Sequence, residues 1–141
     1  MYIKPNITSM RQKLYLKIPF LLFSFTVASD LVLFAVGGTG GDPQVVLDSV
    51  ELVGLDGNPT PSCVIASFPY PVEDGVLATS DGVPILCGGG NDDVPSLDRC
   101  FKFVKADNSW VEGTEMSRPR SGHSAVQVND KDFIIVGTLR R

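Results

Sequence analysis

The fold is decided by residues 84–126, PILCGGGNDDVPSLDRCFKFVKADNSWVEGTEMSRPRSGHSAV. An apolar strand closes on glycines at Cys87-Gly88-Gly89, and a polar loop follows. Leu97–Val104 alternates apolar and polar residues as a half-buried strand does, Ser109–Glu115 carries Trp110, and a last strand begins at Gly122-His123.

The same order occurs once before this stretch and begins again after it. Gly37 and Gly38 follow LVLFAV, Gly88 and Gly89 follow VPILC, and Gly137 follows DFIIV, giving glycine-to-glycine steps of 51 and 49 residues. Leu47-Asp48-Ser49-Val50 lies 50 residues before Leu97-Asp98-Arg99-Cys100, and Gly75-Val76-Leu77-Ala78 lies 47 before Gly122-His123-Ser124-Ala125. That last offset also carries Cys63-Val64 onto Trp110-Val111. The changes of offset fall in loops, where insertions cost little. A repeat of this period indicates stacked supersecondary units rather than one irregular core.

The double glycine after a strand, the aromatic at Phe101 or Phe103, Trp110, and the link Met116–His123 together resemble the kelch motif. The likeness is closest over 84–137 and looser over 31–81, where Cys63 and Val76 stand at the tryptophan and histidine positions. The resemblance implies an all-β fold, a partial kelch β-propeller with one complete four-stranded blade and two partial ones. It divides the chain into a first repeat at 30–81, a second at 82–128 and the start of a third at 129–141. Gly37, Gly38, Gly88, Gly89, Trp110 and His123 become structural positions, with His123 packing the turn of an inner strand. A propeller typically takes at least four blades, so the chain is expected to be a fragment of a longer protein or a truncated gene product.

Residues 1–29 differ in kind. Arg11, Lys13 and Lys17 precede an apolar run from Ile18 to Ala28, the layout of a secretory signal peptide cleaved after Ser29 or Ala28. Met10 would open a leader of 20 residues, and the sequon Asn6-Ile7-Thr8 lies inside the part removed. The run before Asp30 is shorter than the roughly 20 apolar residues that span a bilayer, so no stable membrane insertion is expected. Removing the leader also removes four basic residues and no acidic one, leaving a net charge of −8. Such a surface repels phosphate backbones and argues against a nucleic-acid partner.

In an oxidising compartment, Cys87 and Cys100 on adjacent antiparallel strands of one blade are expected to form a disulfide. The earlier repeat has Val36 and Val50 there, so the pair is present together or absent together; two buried thiols are the alternative. Cys63 is left odd, without an assigned partner. Gly37–Gly41 lacks the Lys-Ser/Thr and the helix of a phosphate loop and reads as a tight turn. Asp92, Asp93 and Asp98 lack the ligand spacing of a calcium loop, and no Cys-x-x-Cys or histidine cluster suggests a metal. Arg118 and Arg120 read as salt-bridging or backbone-capping residues at the blade junction.

These observations lead to a secreted, non-catalytic binding scaffold with no cofactor, which recognises a protein ligand, or a glycan as second class. The loops 39–46, 90–96 and 105–108 are its candidate contact surfaces, with no binding residue assigned. The alternative is a fragment of a galactose-oxidase-like copper enzyme. The one tyrosine and one histidine left after leader removal, Tyr70 and His123, cannot build that site, so its ligands would lie outside the chain. An intracellular ubiquitin-ligase adaptor is a third reading, disfavoured by the leader-like N-terminus.

Overall fold

The computed structural model describes residues 24–28, 32–54 and 64–137, which form antiparallel sheets. The first sheet has the order β1 (Ser24–Ala28), β2 (Val32–Val36), β5 (Val50–Gly54). Between β2 and β5, β3 (Thr39–Gly40) and β4 (Val45–Val46) make a small hairpin. The second sheet runs β6 (Val76–Ser80), β7 (Val83–Cys87), β8 (Cys100–Val104), β9 (Ser109–Glu112) in chain order. The third is the pair β10 (Ser124–Gln127) and β11 (Phe133–Val136).

Local chemistry accounts for the second sheet. The β6–β7 hairpin turns at Asp81-Gly82, both with positive φ (51° and 75°), the backbone of the tight turn that suits right-twisted strands. In β7 the ladder to β8 begins at Ile85↔Lys102, just past Pro84, which has no N–H to donate. Alternation along β8 points Phe101 and Phe103 into the core and Lys102 to solvent.

The repeat is written in the backbone hydrogen bonds. Gly37 N–H donates to the Ser49 carbonyl, and Gly88 N–H to that of Arg99. Gly38 donates to Val72 as Gly89 does to Arg120, and Val72 to Leu47 as Arg120 does to Leu97. Phe68 donates to Asp48 as Met116 does to Asp98. Each of these bonds of the first repeat thus has its counterpart in the second. The glycines are required there: Gly37 and Gly88 have φ of 66° and 65°, and a Cβ on them would sit 2.1 Å from the Val72 carbonyl oxygen and 2.6 Å from that of Arg120.

These bonds correct the sequence alignment by one residue. Val76 pairs with Cys87 and Ser124 with Val136, each partner preceding its glycine, so Gly75 rather than Val76 stands at the histidine position. Asp74 and Gly122 then coincide, and both have positive φ.

The first strands of the sheets are neighbours: β6 lies against β1 on one side and β10 on the other. The Gln127 side chain fastens the latter junction, donating from Nε2 to the Thr79 carbonyl at 2.8 Å. Between the first and second sheets lies an aromatic core of Phe34, Phe68, Tyr70, Phe101, Phe103 and Trp110, with ring centroids 5.0–5.9 Å apart, mostly edge-to-face.

The match of Cys63-Val64 to Trp110-Val111 predicts an outer strand at Cys63–Phe68, but residues 64–68 are not in a strand. The segment is held by side chains instead. Asn108 donates to the Val64 carbonyl and accepts from Ala66 N–H, and Trp110 Nε1 donates to the Ala66 carbonyl at 3.2 Å. β1 lies within the expected leader 1–29, and all five of its residues pair with β2. The rest of that leader and Cys63 lie outside the described residues.

Candidate functional site

Strand direction sorts the three candidate loops. The hairpin 39–46 and loop 90–96 both follow a double glycine and lie at one end of their sheets; the β8–β9 turn at 105–108 lies at the other. Asn108 of that turn, with φ of 45°, is committed to the 64–66 segment. It works as a fastener, so the 39–46 and 90–96 end carries the interest.

Loop 90–96 is shaped by Asn91. Its Oδ1 accepts from the N–H groups of Asp93 and Val94, its Nδ2 donates to the Pro71 carbonyl, and its own N–H donates to the Val94 carbonyl. Asp92 and Asp93 are exposed on this turn, as a solvated loop requires.

A cleft opens on each side. One, of about 390 Å³, is lined by Tyr70, Val94, Ser96, Leu97, Asp98 and Arg99 along with Asn91. Burial pushes the Tyr70 phenol above its usual pKa, partly opposed by Arg99 and reinforced by Glu112, so at neutral pH it is a hydrogen-bond donor. Arg99 pairs with Glu112 at 3.4 Å, both half-exposed. The other cleft is small, about 120 Å³, and polar: Glu73, Asp74, Gly90, Asn91, Pro95 and Ser121 line it. Glu73 is fixed there by exchanging both backbone hydrogen bonds with Gly90. No sequence pattern signals this second cleft, because part of its wall comes from the approaches to β6 and β10.

The structural positions lie elsewhere. His123 is 8% exposed, and its Cε1 lies where a Cβ on Gly88 would come within 2.6 Å. Burial lowers its pKa from 6.5, offset in part by the Cys87 backbone; Arg120 adds to the lowering and Asp74 opposes it. It packs the glycine turn. Trp110 sits in the aromatic core. Cys87 and Cys100, direct partners in the β7–β8 ladder, are disulfide-bonded. Arg120 caps the third sheet, donating from Nη1 to the Gly137 carbonyl. Among the described residues no three His, Cys, Asp or Glu side chains gather as metal ligands, and no helix is long and apolar enough to cross a membrane.

No family model matches the chain, and no curated protein does. Among solved structures it is similar to that of YjhT, with a TM-score of 0.53 at 19% identity over 80% of this chain. The match spans 32% of the YjhT chain, and the likeness is one of all-β fold.

Proposed function

We propose that this chain is a non-catalytic binding scaffold of kelch type, secreted and built from propeller blades, which recognises a protein ligand at the loop end formed by 39–46 and 90–96. The observation that carries this reading is the rigid Asn91 turn with a cleft on either side, one amphipathic and one polar. An anchored loop between two concave surfaces loses little freedom on binding, which favours recognition. The blade reading is supported by the hydrogen bonds that recur from the first repeat to the second and by the side-by-side first strands.

Secretion is supported by the basic and apolar N-terminal pattern. The N-terminal residue of chain recovered from culture medium tests it. Asp30 supports cleavage after Ser29, which would take β1 from the mature first sheet; chain retained in cells with Met1 intact contradicts secretion.

Binding is tested by differential capture from extracellular fluid. The intact chain and a variant with Asp92–Val94 replaced by Gly-Ser-Gly are immobilised, and retained proteins are identified. A protein held by the first and lost by the second is the expected result. Identical retention by both contradicts the site.

A further inference from the structure

The junction between the second and third sheets is open on one side. A cleft of about 390 Å³ lies there, lined by Ile85, Cys87, Cys100 and Val111 of the second sheet, with Phe133 of β11 across from them. It continues an interface the chain has already built, since β10 lies against β6 and Gln127 fastens the two at Thr79. The open side is the space beside β11, which among the described residues pairs with β10 alone.

The first junction shows what fills such a space. Counted back from the glycine, Phe34 and Val36 of β2 correspond to Ile85 and Cys87 of β7. Phe34 is covered by Phe103 and Trp110, carried by the strands that extend the second sheet past β7. β8 reaches that place by pairing antiparallel with β7, Phe101 opposite Leu86 and Cys100 opposite Cys87. Gly88 N–H then donates to the Arg99 carbonyl, as Gly37 N–H does to that of Ser49. Ile135 and Val136 hold the places of Leu86 and Cys87 in β11, yet among the described residues no carbonyl accepts from Gly137 N–H. An open backbone edge beside an apolar cleft is the arrangement that strand addition uses. A small apolar molecule would fill the cleft and leave that edge unpaired.

We propose that the β11 edge is a second binding surface, separate from the loop end, which takes an extended segment of a protein partner as an antiparallel strand. The residues of that segment opposite Ile135 and Phe133 carry apolar side chains, at least one of them aromatic, into the cleft. The residue preceding the one opposite Val136 offers its carbonyl to Gly137 N–H.

Titration of the isotopically labelled full chain tests this. The first probe is a synthetic peptide copying residues 99–112 with Cys100→Ser, the segment that pairs with β7 as β8 and returns as β9. The second peptide adds Phe101→Ser and Phe103→Ser. Saturable shifts are expected at the amides of Phe133–Gly137 and Val111–Thr114, with affinity about tenfold weaker for the second peptide, which lacks the aromatic anchors. In the chain, Val111→Arg at an exposed position bordering the cleft should weaken the first peptide about tenfold and leave Tm unchanged. Equal binding of the two peptides, shifts that miss β11, affinity indifferent to V111R, or no shifts at all would overturn the proposal. So would a chain that sediments as a dimer which the peptide leaves intact, because the edge would then belong to a second copy.

Discussion

Phe34 and Val36 hold the same places in β2 that Ile134 and Val136 hold in β11, counted back from the glycine that follows each strand. The first pair is 4% and 3% exposed, the second 55% and 45%. All four are apolar, so residue type does not decide the difference. Phe34 is covered by Phe103 and Trp110 from the next sheet, while among the described residues nothing covers the β11 pair. Ile85 and Cys87, the counterparts in β7, fall between: Cys87 is buried at 1%, yet both border a cleft of about 390 Å³ that also touches Phe133. In a repeat fold a sheet's face is completed by its neighbour. Among the described residues the first junction is therefore a filled aromatic core, the second is partly open, and the third sheet presents a bare face.

The comparison is broken hardest at the filled junction. Trp110→Ala removes the three ring contacts to Phe34, Phe68 and Phe103 along with the bond to Ala66, and should cost about 4 kcal/mol, read as the shift in urea midpoint. Opening the disulfide with the double change C87S/C100S removes a link across 13 residues of chain and should cost about 3 kcal/mol, measured the same way.

A smaller effect follows pH. His123 fills, at the second junction, the place Gly75 has at the first, and its folded pKa is depressed by burial. The unfolded chain therefore binds the proton first, and the stability that a neutral His123 permits is fully present above about pH 6.5. It declines as pH falls from there through the lowered folded pKa. Comparing Tm at pH 7 and pH 5.5 should show a drop that H123Q reduces; an equal drop in both chains would assign it to other groups. The least effect belongs to the bare face: I134T and V136T should each change stability by less than about 0.5 kcal/mol, against the large cost of F34A.

Much of this contrast was legible in the residues. The apolar strand closing on Gly88-Gly89 ends at Cys87 as its residues imply, and the Cys87–Cys100 disulfide expected from the repeat is present. The N-terminal strand was not legible. Ser24–Ala28 alternates as a strand does, but it continues an apolar run behind basic residues, and that context reads equally as a leader. The absence of a strand at 64–68 was equally hidden, since the donors that hold it, Asn108 and Trp110, are distant in sequence. For the same reason the polar cleft was out of reach: Glu73 and Ser121 line it together only because β6 and β10 are neighbours.

Native-state hydrogen exchange tests the central contrast most directly. If covered sheets are stable and the uncovered one is not, amides of β7 and β8 exchange only by global unfolding, and those of β10–β11 exchange earlier, through local opening. Uniform protection across all of these strands would contradict the account, because the third sheet would then be as well supported as the second.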